Sequence, residues 1–81
     1  MDCYFFVDND GTENVSNIPP KKHPNEPFWI VTKEVNGKEK IVWDAIVELP
    51  RNTIHALFGV HLDWNSNPIK ITWGDISHRI E

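Results

Sequence analysis

Twelve Asp and Glu against 8 Lys and Arg give this 81-residue chain a formal charge of −4, and its basic residues are scattered apart from Lys21-Lys22. A phosphate-backbone footprint is therefore missing, and nucleic acid is not an expected partner. No apolar run approaches the roughly 20 residues of a membrane-spanning helix, and one cysteine, Cys3, cannot close an internal disulfide. The expectation is a single domain over residues 1–81 in a reducing, cytoplasmic setting, with four Trp, four Phe and one Tyr supplying most of the burial.

Cys3 to Val7 is a short apolar run, and Asp8-Asn9-Asp10-Gly11 is rich in residues that tolerate turns, so a strand, a tight turn and a second strand near Thr12 to Ser16 are predicted. Cys3 itself reads as a buried, inert thiol. Residues 17–27 contain four prolines and suit a Pro-rich surface loop.

Two β-branched and aromatic runs then flank Asn36-Gly37, the signature of a hairpin. A two-residue turn would set Lys33 against Lys40 and Glu34 against Glu39. A three-residue loop would instead pair Glu34 with Lys38 and Lys33 with Glu39. Cross-strand ion pairs contribute roughly 0.2–1 kcal/mol and like charges cost about as much, so the second register is expected. It places Trp29 beside Trp43 in the core and Val31 beside Ile41.

Ile41, Trp43, Ala45, Val47 and Leu49 recur at period two and predict one continuous strand with a buried face. After Pro50, residues 52–58 read as a short helix, capped by Asn52 or Thr53 and closed by Gly59, with Ile54, Leu57 and Phe58 on one face. Val60 to Trp64 and Ile69 to Trp73 are predicted as paired strands around the turn Asn65 to Pro68, and Ile76 with Ile80 allows a last helical turn. The fold class is α+β and mostly antiparallel: a small twisted sheet or open barrel of five to six short strands with one short helix.

Three constellations bear on chemistry. An apolar run followed by Asp8-Asn9-Asp10-Gly11-Thr12 resembles the nucleophile motif of the haloacid dehalogenase-like phosphatases, which would imply Asp8 as nucleophile and Asp10 as general acid or base. Glu13 stands where that family has an apolar residue, Pro19-Pro20 closes off the helix the motif should open, and a parallel sheet with long crossovers does not fit hairpins at this spacing. The segment is read as a turn, and a minimal divalent-cation-dependent phosphohydrolase remains the alternative. Aligning Gly11 with the glycine of a calcium-binding EF-hand loop puts Phe6 and Asn17 at essential ligand positions, which leaves at most a weak cation contact from Asp8, Asp10 and Glu13. His55, His61 and Asp63 lack metal-site spacing, and no metal or cofactor is expected. His23, His78, Ser16, Ser66 and Ser77 suggest no catalysis.

Two stretches, FVDNDGTENVSNIPP and LPRNTIHALFGVHLDWNSNP, together about two fifths of the chain, resemble short uncharacterised proteins encoded by phages and prophages. In those proteins the second stretch has Gly where this chain has Asn52. The resemblance implies an accessory protein of a mobile genome, a setting in which compact binders and inhibitors of host components are common. The expected function is thus a small non-catalytic binding protein. Its candidate binding residues are Trp64, Trp73, Asp63 and Asn65 with the Pro-rich loop, since Trp64 and Trp73 flank a polar turn where an aromatic edge stays wet. A protein partner is expected first and a small-molecule ligand second. A structural subunit of a larger assembly is the other alternative, and the oligomeric state is left open.

Overall fold

The computed structural model describes residues 1–72. Trp73, Ile76, His78 and Ile80, with the helical turn expected near them, lie outside the described residues.

The chain forms β1 (Asp2–Val7), β2 (Glu13–Ser16), β3 (Lys21–Lys22), β4 (Trp29–Ile30), β5 (Thr32–Val35), β6 (Lys38–Ile41), a 3-10 turn (Trp43–Ala45), β7 (Ile46–Leu49), α1 (Thr53–Phe58) and β8 (Ile69–Thr72). The class is as the periodicities suggest, mostly antiparallel with one short helix. β7, β2, β1 and β8 make an open four-stranded antiparallel sheet in that order, while β3–β4 and β5–β6 are separate ribbons.

β1 lies inside the sheet and is covered on both sides, which explains its unbroken apolar run Phe5-Phe6-Val7. Phe5 and Val7 point toward α1 and form a cluster with Ile54, edged by Val15, Leu49, Phe58, Leu62, Ile69 and Ile71. Phe5 meets Phe58 edge-on at 4.9 Å. Phe6, on the opposite face, lies 6.0 Å from Trp29, whose indole N–H donates to the Val7 carbonyl at 2.9 Å. Phe6, Val31 and Ile54 are the largest fully buried side chains, and burial of each stabilises the fold by roughly 1.5–3 kcal/mol.

Several expectations are corrected. The hairpin takes the two-residue turn, pairing Lys33 with Lys40, Glu34 with Glu39 and Val35 with Lys38. Asn36 (φ 53°) and Gly37 (φ 76°) both occupy the left-handed region required by a type I′ turn. That backbone match outweighs like-charge costs of a few tenths of a kcal/mol at exposed positions. Glu39 is also compensated, because the Thr32 hydroxyl donates to it at 2.6 Å and Lys21 forms an ion pair with it.

This register differs by one residue from the expected one. Carried outward, it sets Ile30, not Trp29, opposite Trp43, and a one-residue slip exchanges the faces of a strand. Trp29 is core at 9% exposure, whereas Trp43 is 59% exposed. The long strand from Ile41 to Leu49 is interrupted at the 3-10 turn, where the chain passes from the hairpin into the four-stranded sheet. Ile41 and Val47 are accordingly exposed, not part of a buried face.

On α1, Ile54 is 2% exposed and Phe58 is packed, but Leu57 is 59% exposed. The side of the helix that meets the sheet thus takes Ile54 and Phe58, at i and i+4, and leaves out Leu57. Val60 to Trp64 is irregular, and β8 pairs with β1 instead. The loop at 17–27 contains the two-residue β3, with Lys22 opposite Trp29.

Candidate functional site

The Asp8–Thr12 segment is a bend between antiparallel strands. Asp8 N–H donates to the Thr12 carbonyl and Gly11 N–H to the Asp8 carbonyl, both at 3.0 Å, with Gly11 at φ 89°. It leads into β2 and not into a helix, so the architecture implied by the phosphatase resemblance is not formed. Both Asp8 oxygens accept hydrogen bonds: Oδ1 from the Trp29 backbone N–H at 2.9 Å, Oδ2 from the Asn14 side-chain amide at 3.1 Å. Burial pushes the Asp8 carboxyl above its ordinary value, opposed by these two hydrogen bonds and reinforced by the charges of Asp10 and Glu48. Asp10 accepts the Thr12 N–H at 2.9 Å, and this bond with a further one from the Thr12 side chain holds its carboxyl below the ordinary value.

Glu13 is engaged at the start of α1. Its carboxylate accepts the Ile54 N–H at 2.8 Å and the Asn52 N–H, capping α1 from a neighbouring strand. Asn52, although at the N-cap position in a left-handed conformation, makes no side-chain cap, and Thr53 donates back to the Pro50 carbonyl at 2.6 Å. The capping expected of Asn52 or Thr53 is therefore supplied by Glu13. Asp8, Asp10 and Glu13 do not converge, and no group of three His, Cys, Asp or Glu suited to a metal occurs among the described residues. His55 and His61 stack in parallel at 4.1 Å, which directs their in-plane lone pairs side by side and not toward one ion.

Two clefts meet at the bend. The first, of about 360 Å³, is lined by Asp63, Trp64 and Asn65 together with Asp8, Glu13 and His61. Three of the four sequence-selected binding residues thus share one wall, and Trp73 lies outside the described residues. Trp64 is half-buried, edge-on to Trp29 at 5.9 Å, and the Lys22 ammonium from the Pro-rich loop sits 4.2 Å from its ring centre. Asp63 accepts the Asn65 N–H at 2.8 Å and the Ser66 hydroxyl at 3.1 Å, closing the turn on itself.

The second cleft, of about 510 Å³, is lined by Phe28, Trp43 and Ile46 on its apolar side and by Asp8, Asp10 and Glu48 on its acidic side. Phe28 and Trp43 lie 5.9 Å apart, tilted by 55°. The sequence reading missed this pair because it assigned Trp43 to the core. The signal was present in Asn36-Gly37, whose preference for the two-residue turn decides the register.

Comparison with known protein families, with curated proteins and with solved structures finds no match.

Proposed function

We propose that this chain is a small non-catalytic binding protein that holds a protein partner at the Phe28–Trp43 cleft. One observation carries the reading: a tryptophan 59% exposed, ring-packed against a second aromatic, beside a concave surface. Half-exposed aromatics of this kind are the usual energetic anchors of protein interfaces, because covering them removes large apolar area at little cost in side-chain entropy. Trp64, Asp63 and Asn65, across the bend, form the flanking surface. The phage-protein resemblance supports an accessory role, binding or inhibiting a host component in the cytoplasm.

The phosphohydrolase alternative is disfavoured because the Asp8–Thr12 segment runs into β2 of an antiparallel sheet, with Asp8 and Asp10 accepting hydrogen bonds from the fold's own Trp29, Asn14 and Thr12. Affinity capture from cells producing the chain, comparing the native protein with Trp43→Ala, tests the proposal. A protein retained by the native chain and lost with Trp43→Ala is the expected result. An unchanged captured set, or magnesium-dependent phosphate release abolished by Asp8→Asn, overturns it.

A further inference from the structure

The Phe28–Trp43 cleft also carries a charge pattern that defines what fits it. Among the described residues three carboxylates line it, with no lysine, arginine or histidine. Asp10 and Glu48 lie close enough for their charges to act on Asp8. Asp8 accepts from Trp29 and Asn14 and Asp10 from Thr12, but the Glu48 carboxylate, exposed on β7, has no ion pair or hydrogen bond among the described residues. Arg51 acts on Asp10 from outside the cleft. The opposing wall is the exposed Trp43 ring, whose face attracts cations. Elsewhere the molecule already makes this contact with its own chain, the Lys22 ammonium over Trp64. Among the described residues β7 is an edge strand of the sheet, and an outer side of this kind can take an extended main chain.

Building on the reading of this cleft as a protein-binding surface, we propose that it takes a Lys or Arg side chain from an extended basic segment of the partner. The cationic head lies between the Trp43 ring and the Glu48 carboxylate, and the methylenes lie against Phe28 and Ile46. An acidic segment or a phosphate backbone would meet three like charges there. An uncharged apolar segment would leave the Glu48 carboxylate unpaired.

The test is a titration of the full chain at low ionic strength with a short blocked peptide of alternating arginine and serine, and with the same peptide carrying citrulline for arginine. Citrulline preserves shape and removes charge. Indole fluorescence and backbone amide shifts report binding. Expected are shifts centred on Phe28, Trp43 and Glu48 with the arginine peptide, and affinity weakened roughly three- to fivefold by Trp43→Ala, by Glu48→Gln and by citrulline. Trp43→Phe should retain most of the affinity, and added salt should lower it. Equal binding of the two peptides, or binding insensitive to both Trp43→Ala and Glu48→Gln, overturns the inference. If neither peptide binds while Trp43→Ala still loses a captured partner, the basic occupant is wrong and the binding surface stands. Capture indifferent to Trp43→Ala removes both.

Discussion

Replacing Glu13 with alanine should destabilise the domain by about 2 kcal/mol, although Glu13 lies 39 residues before the first helix amide it holds. The carboxylate accepts two N–H groups at the start of α1, those of Asn52 and Ile54, where the local residues offer no side-chain cap. Losing an N-cap costs roughly 0.5–2 kcal/mol, and removing the negative charge from the helix N-terminus adds about 0.3–1 kcal/mol. Water can reach part of the site, which keeps the total near the middle of that range. For a domain of this size, a loss of about 2 kcal/mol lowers Tm by roughly 8–15 °C. Glu13→Gln, which keeps one acceptor oxygen and loses the charge, should cost about half as much. Urea unfolding followed by circular dichroism measures both, and hydrogen exchange at the Ile54 amide reports the cap directly. A Glu13→Ala variant within about 0.5 kcal/mol of the parent, with unchanged Ile54 exchange, would refute the assignment of Glu13 as the helix cap.

At Asp8 the folded carboxyl titrates above its ordinary value of 3.8, so the folded state takes up this proton at higher pH than the unfolded chain. Its contribution to stability therefore rises as pH falls through the folded value toward 3.8, and Asp8→Asn should flatten that rise in unfolding measured across acidic pH. Asp8→Ala, which strips the Trp29 N–H and the Asn14 amide of their acceptor, should instead cost about 1–3 kcal/mol at neutral pH in the same assay. Lys40→Glu should stabilise the hairpin by roughly 0.2–0.5 kcal/mol, because it faces Lys33 in the observed register; in the slipped register Lys33 would face Glu39, and no gain would appear in thermal unfolding. Ile54→Ala should cost about 2–5 kcal/mol and Leu57→Ala under about 0.5 kcal/mol, and chemical denaturation of the two variants reads out which side of α1 meets the sheet.

Much of the local structure was legible in the residue order. The apolar run from Cys3 to Val7, the turn formers after it, Asn36-Gly37 and the interval from Asn52 to Gly59 each encode their element through short-range chemistry: strand propensity, positive φ and helix termination. The candidate site was legible in part. Trp64, Asp63 and Asn65 do share a wall, because they are neighbours around one turn. Trp43 was misplaced, since its environment depends on hairpin register, and that balance between turn geometry and charge pairing was drawn toward charge.

Residue order by itself determined that the Asp8–Thr12 segment would bend the chain between strands, because turn formers precede Pro19-Pro20 and leave no room for a helix. Only the tertiary structure decided that β8 would pair with β1, that Glu13 would cap α1, and that Phe28 and Trp43 would open a cleft beside Asp8, Asp10 and Glu48. Those contacts join residues far apart in the chain. Their selection depends on how the whole sheet shares its apolar surface and satisfies its backbone amides, quantities that no short window of sequence contains.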